Sequence, residues 1–182
     1  MKKTVLTFGL IAGVILSVMM AVTVPFHDTI GYDRAEVIGY TSMILAFLLI
    51  FFGVRSYRDS VARGTVSFGR AFAVGALIAM VASVCYTATW EVIYFNFESD
   101  FLEKYQAHQI EQARANGESE ASIAAERVKM ERNAALYHNP AINAAITFLE
   151  PLPVGLLVAL VSAAVLRRKR DIPAGQGRVV VV

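Results

Sequence analysis

The sequence is short of charge, cysteine and histidine. Charged residues make up only 18% of the 182, against 56% apolar, where an ordinary soluble domain is about a quarter charged. A single cysteine, Cys85, excludes an internal disulfide framework and any cysteine-built zinc cage. It lies within an apolar run, away from any acid or base in sequence, and reads as packing. The three histidines, His27, His108 and His138, show no paired ligand spacing. There is no serine-nucleophile motif and no His–Glu zinc helix, and Gly64, Gly69 and Gly75 do not form a phosphate-cradling loop. We therefore expect no enzymatic activity, no metal, no cofactor and no nucleic-acid partner.

What is present is four long apolar blocks, each near the roughly 20 residues needed to cross a bilayer. They cover residues 4–24, 37–54, 71–90 and 142–166. The first three are uncharged, and Glu91 closes the third. The fourth contains one charge, Glu150, between Leu149 and Pro151. The first block follows Lys2 and Lys3 as a secretory signal would. It is long for a signal core, however, and Met20-Ala21-Val22-Thr23 offers no small-x-small cleavage site, so we expect it to be retained.

Charge distribution orients the four spans. Lys2 and Lys3, then Arg55, Arg58, Arg63 and Arg70, then Arg167, Arg168, Lys169, Arg170 and Arg178 are 11 of the 17 basic residues. Only Asp59 and Asp171 accompany them. The opposite side holds six basic residues and 13 acids, counting Glu91 and Glu150 with it. By the positive-inside rule both termini are cytoplasmic.

Residues 25–36 form a short outer link, with Pro25 and Gly31 as breakers. In the inner link, Ser67 stands where a helix N-cap would. Residues 96–140 are the one sizeable polar region. Phe97, Phe101, Tyr105 and His108 share a helical face there; Asn116-Gly117 interrupts it, and Ser119 can cap a second helix striped by Ile123, Met130, Ala134 and Tyr137. The expected architecture is all-α: an integral four-helix bundle over residues 1–170, with an extracytoplasmic helical hairpin over 96–140. A disordered tail is expected over 171–182, where Pro173, Gly175 and Gly177 fall. Small residues recur at four-residue spacing within the spans: Gly9, Gly13 and Ser17; Gly75, Ala79 and Ser83; Gly155, Ala159 and Ala163. In lipid such stripes allow close helix packing, within the bundle or between copies of the chain.

With these residues placed, the chain resembles a bacterial membrane-protein family known as domain-of-unknown-function family 4199. Its specific segments are Tyr57-Arg58-Asp59, Ser67-Phe68-Gly69-Arg70-Ala71-Phe72, Trp90-Glu91, Asn139-Pro140 and Thr147-Phe148-Leu149-Glu150-Pro151-Leu152-Pro153-Val154-Gly155. The resemblance runs to Arg170 and implies a small multi-pass protein of the bacterial cytoplasmic membrane. It implies no activity, substrate or catalytic residue.

Two carboxylates are the candidate chemistry. At about 1.5 Å per residue, Glu91 lies roughly 31 Å from Arg70 and Glu150 roughly 25 Å from Arg167. Both then sit near the outer boundary of a core about 30 Å thick, in different spans at similar height, so that they can converge. An intramembrane carboxylate normally has a partner or a role. Pro151 and Pro153 lack the N–H that would engage the carbonyls of Thr147 and Leu149. Glu91, Glu150, Thr147, Pro151 and Pro153 thus form a candidate proton or cation site, or a polar latch. Alternatively, Glu150 lies in the interface and Pro151 opens the true helix. Arg55, Tyr57, Arg58, Arg63 and Arg70 are a candidate contact for anionic headgroups or a cytoplasmic partner, or set topology alone.

Two functional classes remain. In one, the protein is an accessory or scaffold of the bacterial envelope, working through its hairpin with a partner protein or as a homo-oligomer. In the other, it is a small transporter or channel-like protein using Glu91 and Glu150. The charge split makes a direct prediction: a reporter active only outside the cytoplasm should be silent after Arg170 and active near Gly117. The reverse pattern would overturn the orientation.

Overall fold

The computed structural model describes residues 1–168. The tail over 171–182, with Lys169 and Arg170 before it, lies outside the described residues. Eight α-helices occur among the described residues: α1 (Lys2–Thr23), α2 (His27–Ile30), α3 (Tyr32–Ser56), α4 (Phe68–Asn96), α5 (Phe101–Ala115), α6 (Glu120–Tyr137), α7 (Pro140–Leu149) and α8 (Leu152–Leu166). Four helical stretches are long and apolar enough to cross a membrane: Lys2–Phe26, Tyr32–Val61, Phe68–Asn96 and Pro140–Leu166. The chain is a helical membrane bundle.

Local chemistry sets the boundaries. The Ser67 hydroxyl accepts from the Arg70 amide at the start of α4, and the Ser119 hydroxyl accepts from Ser122 N at the start of α6. Asn139 caps α7 through Ala141 N at 3.0 Å, with Pro140 in the first turn, where its missing N–H costs nothing. The expected outer link is largely helical instead. A 3₁₀ turn over Val24–Phe26 and the single turn of α2 lead to Gly31 at φ +86°, and α3 starts at Tyr32. The second span therefore begins five residues earlier than the apolar run does, and brings Glu36 onto the spanning helix.

The four long helical stretches form a closed ring: α1 packs on α4, α4 on α8, α8 on α3 and α3 on α1, with α3 and α4 meeting across the middle. Phe47, Ile50, Val74 and Ile78 are fully buried at that crossing. The small-residue stripes are the helix contacts. A β-carbon at Gly9 would fall 2.7 Å from Val81 Cβ, and one at Gly13 would fall 2.6 Å from Cys85 Cβ, joining α1 to α4. One at Gly75 would lie 2.8 Å from Ala159 Cβ, and one at Gly155 would lie 2.7 Å from Ala79 Cβ, joining α4 to α8. Above the stripe, Thr89 donates to the Ser17 hydroxyl at 2.7 Å.

Helices α5 and α6 form the hairpin, turning at Gly117 with φ +79°. Ile110, Ala113 and Ile123 make its small core with Met130, and Gln106 donates across it to Met130 O. At its root, the hydrogen bond from Lys104 holds the Asp100 carboxyl below the usual carboxylate range. Phe97, expected on the hairpin's apolar face, precedes α5 and is exposed. At the opposite end of the bundle, Val66 and Arg168 exchange backbone hydrogen bonds at 3.2 and 3.0 Å. This ties the α3–α4 connection to the end of α8.

The glycine contacts are testable. Gly75→Val forces side-chain atoms into α8, and overpacking of this kind costs about 1–3 kcal/mol. Its thermal midpoint in detergent should fall clearly below wild type. Gly69→Ala, with nothing within 4 Å of the new carbon, should melt as wild type does. Equal midpoints for all three proteins would remove close backbone packing as the source of stability.

Candidate functional site

At the hairpin end the ring opens around a cavity of about 310 Å³. Its walls are the last turns of α1, the first three turns of α3 and the Tyr86–Trp90 segment of α4; Phe101 and Tyr105 of α5 cover it. Two carboxylates, Glu36 and Glu150, line it, and no Lys or Arg is among the lining residues. The rest of the lining is mainly aromatic and apolar, with Thr23, Ser42 and His27 as its other polar side chains.

The aromatic wall is one connected cluster. Trp90 meets Phe101 edge to face, with centroids 5.2 Å apart, and Tyr32 meets Tyr105 likewise at 5.9 Å. Phe101 and Tyr105 stack on each other one helical turn apart. Trp90 Nε1 donates to the Tyr137 hydroxyl at 2.9 Å, which locks the end of α6 to α4. Farther out, Gln112 Nε2 donates to both oxygens of Asp33 at 2.8 Å, and His108 Nε2 lies 3.3 Å from the same carboxylate. The hairpin is therefore held over the cavity from two sides, by α4 and by the first turn of α3.

Glu150 sits in the break between α7 and α8. Glu150 and Pro151 both keep right-handed helical dihedrals, so the chain kinks there without reversing. Two prolines cannot supply the hydrogen bonds that would continue α7, and the helix restarts with Pro153 in its first turn. The Tyr86 hydroxyl donates to Glu150 Oε2 at 3.3 Å. On α7 before the break, Asn143 and Thr147 are buried; Thr147 donates to Asn143 Oδ1, and Asn143 Nδ2 donates to the Tyr137 carbonyl.

The sequence-derived residues are therefore divided. Glu150 lines the cavity, whereas Glu91 does not; its Oε1 is buried with no hydrogen-bond partner. The second carboxylate at the cavity is Glu36. Thr147 and Pro151 are buried behind the site, and Pro153 lies in the first turn of α8. At the basic end, Arg55, Arg63 and Arg70 are exposed, and Arg58 donates to Asp59 at 2.6 Å. Tyr57, expected with these arginines as a contact for anionic headgroups or a cytoplasmic partner, is packed in the core. The residues that sequence reasoning missed are Glu36, Tyr86 and the tyrosines facing them. The available signal was the run of tyrosines and one tryptophan at a common height, near the acidic end of each span.

A family model described as "Protein of unknown function (DUF4199)" matches residues 7–168. The chain belongs to this family. The matched region includes every cavity-lining residue named above, so the site is built from the family's own domain. Neither the curated proteins nor the solved structures hold a significant match to the chain.

The Trp90–Tyr137 bond gives a local test. Tyr137→Phe leaves a buried indole N–H unpaired, which costs about 1–3 kcal/mol. Emission from Trp90, the one tryptophan of the chain, should shift to the blue, and proteolysis between residues 97 and 139 should quicken. Unchanged emission and unchanged cutting would show that this bond does not hold the hairpin.

Proposed function

We propose that the hairpin-end cavity binds a cation or a small cationic molecule, and that the protein serves as a small membrane transporter or binding protein. The observation that carries this reading is the pairing of Glu36 and Glu150 in one aromatic-lined cavity whose lining holds no Lys or Arg. An ionised carboxylate at the edge of the hydrocarbon is costly without a partner. A bound cation offsets that cost, and the kink at Glu150 resembles the interrupted helices at which transporters place their sites. The role proposed for Glu91 passes to Glu36. The site binds without catalysing.

An accessory or scaffold role in the envelope is the second reading. It is favoured by α6, which of its 18 residues buries only Ile123 and so offers most of its surface to a partner. In both readings we take the basic end as cytoplasmic and the membrane as the bacterial cytoplasmic one, on the charge split and the family resemblance.

The test is a titration of purified protein in neutral detergent with tetramethylammonium, sodium and calcium, read from Trp90 emission and by calorimetry. At least one should bind saturably, and Glu150→Gln and Glu36→Gln should each weaken it tenfold or more. No binding of any probe, together with a protein that co-purifies in fixed ratio, would replace this reading with the scaffold one.

A further inference from the structure

The cavity is open on one side, and the position of that opening bears on what enters it. Glu36, Tyr40 and Glu150 line the cavity and are nevertheless exposed, so they mark its mouth. Helix α7 packs on α4 and α6, while α3 packs on α8 in the other half of the bundle. Glu36 and Tyr40 on α3 and Glu150 at the end of α7 thus border the opening from two sides. Counted along the helices, Tyr40 is about 22 Å from Arg55 and Glu150 about 25 Å from Arg167. In a hydrocarbon core about 30 Å thick, Tyr40 and Glu150 then lie about 5–8 Å inside the boundary and Glu36, about 28 Å from Arg55, lies at it, so that mouth spans the edge of the acyl chains. Val37, Ile44, Ile146 and Leu149 are exposed apolar side chains on the helices flanking it.

We infer that the occupant is a net-cationic amphiphile with an ammonium head, which enters sideways from the lipid between α3 and α7. This rests on the cation-binding reading proposed above and adds the ligand's class and its route. An ammonium head has two kinds of partner here: the carboxylates at the mouth, and the aromatic rings of Trp90, Phe101 and Tyr105 in the lining, Tyr32 being stacked on His27 and His108. A cation over an aromatic face gains about 0.5–2 kcal/mol, most when desolvated. A cavity of about 310 Å³ is at the small end of ligand pockets and suits a head group rather than a whole lipid. The alkyl tail stays outside, along the exposed apolar flanks of the opening. A zwitterionic phospholipid fits less well, because no Lys or Arg lines the cavity to receive its phosphate.

The experiment uses the full chain in maltoside micelles with Trp90 emission as the readout and Trp90→Phe as the blank. Dodecyltrimethylammonium should bind saturably, at least tenfold more tightly than tetramethylammonium, and tetramethylammonium in excess should displace it. Dodecanol, with the tail alone, should leave the emission unchanged. Lysophosphatidylethanolamine should bind at least tenfold more weakly than dodecyltrimethylammonium. Glu150→Gln should weaken the alkylammonium at least tenfold in the same micelles, where partitioning of the probe is equal. Glu36→Gln serves the same purpose if the first variant fails to fold. Equal affinity for the long- and short-chain ammonium ions would overturn the amphiphile inference and leave the cation site standing. A response to neither would remove both. A response to dodecanol matching that of the alkylammonium, or tighter binding of lysophosphatidylethanolamine, would overturn recognition of a net-cationic head.

Discussion

The structure depends on how closely α4 approaches its two neighbours. Gly9 and Gly13 bring α1 against Val81 and Cys85, and Gly75 and Gly155 bring α8 against α4, at distances that leave no room for further carbons. In lipid the apolar surface of a helix gains little from leaving its surroundings, so contact of this kind supplies most of the packing energy. All three stripes lie toward the half of the bundle that holds Met1 and Arg168. Clamped there, the four helices are held in one ring around the buried side chains of Phe47, Ile50, Val74 and Ile78.

Away from the clamp, the side chains become bulky. Tyr86, Trp90 and Tyr94 on α4, Tyr32 and Tyr40 on α3, and Met19 and Met20 on α1 stand where the small residues have run out. Helices held at glycine spacing at one end and separated by aromatic rings at the other must diverge, and the cavity is the space this creates. The kink at Glu150 adds to it, since α7 stays with α4 and α6 rather than following α8 along α3. Here the rings brace one another edge to face, and the hairpin closes the end through Trp90–Tyr137 and Asp33–Gln112.

Much of this was legible in the sequence because its signals are local. Apolar length gave the four spans, and Ser67 and Ser119 marked two helix starts through side chains that act within three residues. The small-residue spacing identified the packed faces. The site was only half legible. Glu150 stood out as a lone charge inside an apolar run, whereas Glu36 lay just before one, in a stretch read as a link. Its place on α3 follows from Gly31, whose left-handed backbone lets a new helix begin at Tyr32. Glu91 and Glu150 do have comparable heights. Height says nothing of the direction in which a helix presents each side chain, and that is a property of the assembled ring.

The pairing of Gly75 and Gly155 also bears on how the protein is made. A ribosome adds about 5–20 residues per second, and roughly 55 residues separate the end of α4 from the start of α8. For about 3–11 seconds, therefore, α4 stands in the membrane with its glycine face uncovered. In the finished ring α4 is flanked by α1 and α3, and α8 occupies the remaining side. The last span to be synthesised completes the core, docking beside Phe47 in a slot whose shape the first three have set.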